Sequence, residues 1–420
     1  MLARREILLF AIILFNFTNG FYNSIATAFG FDYPYTSFLF HSNDLFGDLI
    51  KTALSYPGGE FLYLDTWSDK FLGYLLHNPY GGIQSLNEGQ LSNLHGMPLP
   101  TIIAIGIREL LTTINPITVV AIIIVPMVIS LAYIVQSYLL ESKLLIALSL
   151  LFSYPMLLAI SRAHLVSLLL GALIISYLLN VGRKRSLMLS AFLLSAAVNL
   201  RPNSIIFLVA PLICFSFKEY LKFIIVFSFA SCFILIFSFI GANWLYPDYD
   251  FINFLRAIKV YHKLYLLGDW GLIFGSSLYG GLRFFELLVG NNIWQGHISF
   301  LVFLFFSISV VLLMLVVIKN RISYEEYVFS LLCVYALFSG TFADYHLLAF
   351  FAFVILYLNS DCVSKLWLQS AVVVLILSAK NYIFVYDEIS WQVLLNPVLL
   401  FIGLFYTLIR CFNSKVGCYD

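Results

Sequence analysis

From His297 to Ile318 the chain reads HISFLVFLFFSISVVLLMLVVI, and Lys319 follows. Past its first residue, nothing in this run is more polar than serine. A helix advances about 1.5 Å per residue, so some 20 residues of this kind cover a hydrocarbon core of roughly 30 Å. The run is long enough to cross a bilayer and has no polar face to offer water. Working outward, comparable runs fall at 7–27, 117–140, 144–161, 165–181, 221–242, 324–342, 346–359, 366–383 and 392–411. Two shorter pieces, 186–199 and 203–217, meet at Arg201-Pro202. Together they read as a tight helical hairpin bent partway into the outer leaflet. Broken backbone at that depth is tolerated only where protein buries it or it lines a wet cavity. The expected fold is all-α and polytopic, a single membrane domain over 1–420 with about twelve spans and both termini on one side.

Composition points the same way. The 420 residues are 61% hydrophobic and 11% charged, whereas soluble domains are about a quarter charged. A formal net charge of +1 gives no polyelectrolyte signal, so a nucleic-acid partner is not expected. The six cysteines show no metal-knuckle spacing and fall in spans or on the cytoplasmic side, where a structural role is expected. Arg4-Arg5 precedes the first apolar run without a small-residue cleavage site, so a retained helix is expected rather than a signal peptide.

Orientation follows from the cations. Arg4/Arg5, Lys143, Arg183-Lys184-Arg185, Lys218/Lys222, Lys319/Arg321, Lys365 and Arg410/Lys415 lie in short segments that alternate along the chain and so share one side. The positive-inside rule puts them in the cytoplasm, with both termini. Two large loops, 28–116 and 243–296, then face outward and read as folded caps. Chemistry is expected on that outer face.

Few polar residues there can carry it. In His41-Ser42-Asn43-Asp44-Leu45-Phe46-Gly47-Asp48, Ser42 or Asn43 can cap a helix, with Asp44 in its first turn and Asp48 one turn on. An ionised Asp44 can deprotonate an acceptor hydroxyl, although acids also favour helix starts for the dipole alone. Ser161-Arg162-Ala163-His164 forms an outer turn. Its guanidinium suits bidentate phosphate binding or simple snorkelling to the interface. Asn199-Leu200-Arg201-Pro202-Asn203 interrupts about 30 apolar residues, and a charge buried at such a break is costly unless paired or functional. Asp344-Tyr345-His346 can orient a phosphate or tune a base. Lys380 is either another phosphate contact or an interfacial anchor. Acids in the first outer loop and cations at later outer turns are the parts a lipid-phosphate-dependent transferase needs.

In their order these motifs resemble the GT-C glycosyltransferases of bacteria that use polyprenyl-phosphate sugars, especially the branch with the mycobacterial mannosyltransferases. Asp44 through Lys51 is similar to the family's acidic helix start after the first span. Gly96-Met97-Pro98-Leu99-Pro100 is similar to its proline-rich step before the second span. Pro155 through Arg162-Ala163-His164 resembles a Pro…Arg-Gly-Gln turn, Asn199-Leu200-Arg201-Pro202 a short span ending in Lys-Pro, and Phe342 through His346 a His-bearing late turn. The resemblance covers roughly residues 1–360. It implies a GT-C fold in the bacterial cytoplasmic membrane, with an outward-facing site that transfers one sugar, with inversion, to a glycan or lipid-linked acceptor. It also implies Asp44 as the base, with Asp48 as the other candidate acid. Arg162, His164, Arg201, Asp344, His346 and Lys380 would contact the substrate. Two positions depart from the pattern: His164 replaces the usual Gln, and Asp48 replaces an aromatic. No cofactor is expected, although Asp44/Asp48 leave room for a cation.

Two other readings compete. An O-antigen-type polymerase also has about twelve spans and large outer loops, but it relies on arginines in later loops rather than on paired acids in the first. A transporter or flippase needs charges inside several spans and gates on both sides, and the cytoplasmic connections are too short for much of a gate.

Overall fold

The computed structural model describes residues 29, 49, 97–114, 116–138, 148–245, 249, 251–252, 254–255, 277–289, 297–319, 322–340, 342–360, 366–378, 384–386, 389–390 and 392–413. The first span, most of the first outer loop, Asp44, Asp48 and Lys380 lie outside the described residues. The helices are α1 (Pro98–Thr113), α2 (Pro116–Tyr138), α3 (Tyr154–Ser161), α4 (Leu165–Gly182), α5 (Leu187–Leu200), α6 (Phe217–Leu245), α7 (Leu278–Val289), α8 (Ile298–Ile318), α9 (Tyr324–Phe338), α10 (Phe351–Asn359), α11 (Trp367–Leu377) and α12 (Gln392–Asn413). A 3-10 helix, Pro202–Ile213, follows α5, and another, Asp344–Phe350, leads into α10.

Among the described residues, five helices (α2, α4, α6, α8 and α12) are long and apolar enough to cross a membrane, and shorter apolar helices stand between them. The protein is a helical membrane protein. Three local expectations change. The 144–161 run is not one helix: the chain turns extended at Ser153 and restarts as α3, with Pro155 in the first turn, where a missing N–H costs nothing. The second half of the Arg201 hairpin is 3-10, not α. The 366–383 run ends as helix at Leu377, and a short two-stranded antiparallel ribbon, β1 (Phe384–Tyr386) and β2 (Ile389–Ser390), follows it within an otherwise helical fold.

Burial sorts the helices. Every residue of α9 from Glu326 to Leu337 is buried, so it occupies the bundle's centre. A helix apolar on all sides belongs there. By contrast α6 and α8 turn large side chains outward, with Phe229 77% and Phe303 66% exposed, as lipid-facing helices must. Gly171 lets α4 approach the turn that carries His346, since a Cβ there would sit 3.0 Å from Leu348 Cβ.

Polar contacts define two ends. At one, Arg183 donates to the Tyr138 carbonyl (2.6 Å), Asn359 Nδ2 donates to the same oxygen (2.8 Å), and Arg410 pairs with Glu326. Lys319 lies over the Phe412 ring (5.4 Å) and Tyr324 donates to the Leu178 carbonyl (2.6 Å) at that same end. At the other end are His164, Arg201 and His346. The Arg183, Lys319 and Arg410 connections grouped by sequence therefore do share one end.

The turns at the two ends of α4 share a design. After α3, the His164 N–H bonds the Ala159 carbonyl (2.8 Å) and the Ala163 N–H bonds Ile160 (3.0 Å). After α4, Arg185 bonds Asn180 (3.1 Å) and Lys184 bonds Val181 (2.9 Å). Both are Schellman motifs, a C-terminal cap that needs one left-handed residue. That residue is usually glycine, but here it is Ala163 (φ 50°) and Lys184 (φ 49°).

The 3-10 helix after Arg201 is far longer than the usual run of about three or four residues. Its backbone is helped from outside. Tyr177 of α4 donates its hydroxyl to the Phe207 carbonyl (2.7 Å). Tyr327 of α9 donates to the Val209 carbonyl (2.9 Å). Two tyrosines from neighbouring helices thus tie the 3-10 segment to α4 and α9. Asn199 and Ser195 fix the other strut of the hairpin by bonding Ser231 (3.2 Å) and the Phe227 carbonyl (3.1 Å) of α6.

Candidate active site

Three turns meet at the end opposite the basic one: α3–α4, the α5–3-10 junction, and the segment between α9 and α10. His164 begins α4 and its Nδ1 accepts the Ser167 N–H (3.1 Å), which makes the imidazole the helix's N-terminal cap. The Ser167 hydroxyl lies 3.1 Å from His346 Nδ1. Arg201, extended at the hairpin bend, directs Nη1 onto His346 Nε2. A guanidinium has only donors, so Nε2 accepts and the imidazole is neutral. Its proton then sits on Nδ1 and points at the Ser167 oxygen. By the same accounting, a neutral His164 carries its proton on Nε2.

Aromatic rings frame these groups. His164 stacks on Tyr345 (centroids 4.2 Å apart) and meets His346 edge-on at 6.0 Å. The Arg201 guanidinium lies 5.8 Å from the centre of the Phe342 ring, a cation–π contact, and Phe342 also touches His346 (5.5 Å). The site therefore offers a cation and two imidazoles held by an apolar frame.

Of the residues singled out in the sequence, the structure brings His164, Arg201 and His346 together. Arg162 ends α3 two residues before His164 and is partly exposed. Asp344 is buried, and its Oδ1 accepts from Asn396 Nδ2 of α12 (2.9 Å). It anchors the turn that carries His346 to α12. Sequence reasoning passed over Ser167, Phe342, Tyr345 and Asn396 as contributors. Tyr345 and Phe342 lay inside a quoted motif, and Ser167 sits three residues past a helix-capping His, so those three had a local signal. Asn396 had none.

Among the described residues, no three His, Cys, Asp or Glu side chains gather in a way that could hold a metal ion. No protein-family model matches the chain, and comparison with curated proteins and with solved structures returns no match.

Proposed function

We propose that the protein is a GT-C-type membrane glycosyltransferase that moves one sugar from a polyprenyl-phosphate donor to a glycan or lipid-linked acceptor. The observation that carries this reading is the Arg201–His346–Ser167–His164 chain, a donor-rich group held by three turns at one end of a lipid-embedded bundle. The opposite end carries Arg183, Lys319 and Arg410, so in this reading the positive-inside rule turns the site outward, across the bacterial cytoplasmic membrane.

In this reading the donor enters laterally with its phosphate against Arg201. The acceptor hydroxyl attacks the anomeric carbon from the face opposite the phosphate, and its proton passes to Asp44 or Asp48. The bond from the anomeric carbon to the phosphate oxygen breaks, a glycosidic bond forms with inversion, and polyprenyl phosphate leaves. Arg201 stabilises the charge that grows on the leaving oxygen, and groups preorganised for such charge are worth several kcal/mol in a dry site. The protein's own cations supply that stabilisation.

Surface glycans of cells carrying wild-type, Arg201→Ala, Asp44→Ala and Asp48→Ala alleles at equal protein level test the proposal. Arg201→Ala and one of the two aspartate variants should each lose a single sugar. Intact glycan in both aspartate variants overturns it, and shortened chains with every sugar present point to a polymerase.

A further inference from the structure

The turn between α4 and α5 gathers charge in a way that the positive-inside rule alone does not require. Arg183, Lys184 and Arg185 are consecutive, and all three are exposed. The Arg183 and Arg185 guanidiniums both lie on the ring of Tyr138, 4.8 Å and 5.2 Å from its centre. Tyr138 ends α2, and its carbonyl accepts from Arg183. A helix C-terminus and an aromatic face each attract a cation, but two cations on one ring also repel each other. Desolvation, and after it the charge of Arg185, lower the Arg183 pKa from the ordinary arginine value. Lys184 adds a third charge at the left-handed position of the Schellman turn, where glycine would sit without strain.

Among the described residues, none of the three forms an ion pair. Glu219 feels the charges of Lys184 and Lys222, but its Oε2 already accepts from the Ser216 N–H (2.9 Å) and hydroxyl (2.7 Å). Snorkelling side chains could relieve the repulsion by spreading apart. An anion at the turn relieves it with the side chains where they stand. The surface beside the turn narrows the kind of anion. Helix α5 begins two residues after Arg185, and Met188, Leu189 and Phe192 are exposed among the described residues. Their spacing of three and four puts them on one face, so an apolar strip leads from the cations toward the hydrocarbon. A ligand with a charged head and an apolar tail uses both parts, whereas a free phosphate uses only the first.

We propose that the Arg183–Arg185 turn and the adjoining face of α5 bind one anionic phospholipid. Its phosphate lies against the two guanidiniums, and an acyl chain runs along Met188, Leu189 and Phe192. The site is independent of the transferase reading.

Full-length protein in detergent micelles is titrated with phosphatidylglycerol, with phosphatidylcholine of the same chains, and with glycerol phosphate as competitor. Native mass spectrometry counts the bound lipid. Wild type should bind one phosphatidylglycerol about tenfold or more tightly than phosphatidylcholine. Arg185→Gln should weaken that binding about fivefold, the share of one basic side chain at a membrane surface. Tyr138→Leu keeps every charge but removes the ring that holds the pair, and it should weaken binding as well. Lys218→Gln removes a charge outside the turn and should stay within about twofold of wild type. Without lipid, Arg185→Gln should unfold at the wild-type temperature or above, because it loses a repulsion. A lower temperature would make the arginine structural and overturn the site. Wild-type affinity in Arg185→Gln or Tyr138→Leu, or no preference between the two lipids, also overturns it. Equal losses in Arg185→Gln and Lys218→Gln would mark a diffuse charge effect, and displacement by glycerol phosphate at matched concentration would mark a free-phosphate site. Either result defeats the lipid assignment.

Discussion

Arg201 and His346, 145 residues apart in sequence, meet guanidinium to imidazole at the junction of two hairpins. The contact fixes the imidazole proton on Nδ1, and Ser167 receives it. Neither side chain can be repositioned without disturbing the other.

Arg201→Ala and His346→Ala should therefore act as a unit. Each is expected to lower sugar transfer by about 100-fold or more. The double variant should lose much less than the product, with a coupling of about 1 kcal/mol or greater. Transfer rates in membranes matched for protein level give the cycle. Multiplicative losses would show two independent groups.

The Schellman turn before His164 depends on a buried left-handed alanine. Ala163→Gly relieves strain of about 1–2 kcal/mol but gives up a buried methyl of about 0.8 kcal/mol and adds freedom to the unfolded chain. These nearly cancel, so stability should stay within about 1 kcal/mol of wild type. Ala163→Val adds a β-branched side chain where φ is positive and space is closed. A loss of about 2 kcal/mol or more is expected, read by unfolding in detergent.

Tyr177→Phe and Tyr327→Phe each strip a donor from a carbonyl of the 3-10 helix. Each should cost about 1–3 kcal/mol, since lipid offers no replacement. Equal stability to wild type would mean the segment holds itself without them.

At the basic end, Glu326 uses one oxygen for Arg410 and the other for the Ser323 N–H (2.9 Å), closing a capping box at the start of α9. Arg410→Met leaves a mostly buried carboxylate without its cation. The expected cost is about 2 kcal/mol, below the fully buried figure because Arg410 is partly exposed. Adding Glu326→Gln removes the charge and keeps the cap geometry, so the double variant should recover most of the loss. Chemical denaturation of the three proteins decides it.

Much of the fold was legible because lipid imposes one rule on every long helix. The apolar runs at 165–181, 221–242 and 297–318 became α4, α6 and α8 within a few residues. Arg201 stood out because a charge and a proline between two short apolar pieces have no cheap bilayer solution. The 3-10 geometry beyond it was not legible, since it depends on tyrosines from α4 and α9 that hydropathy counts as ordinary core. Asp344 read as a site residue by its neighbour His346, and its bond to Asn396 depends on an approach from α12 that no local pattern encodes.

The most direct measurement follows the donor itself. Membranes containing the protein are given a panel of polyprenyl-phosphate sugars, and released polyprenyl phosphate is quantified against membranes carrying Arg201→Ala. Wild type should consume one donor of the panel and pass its sugar to an endogenous acceptor, with the variant reduced by about 100-fold. Consumption of that donor at equal rates by both proteins, or of none by wild type, would contradict a sugar-transfer site at Arg201 and His346.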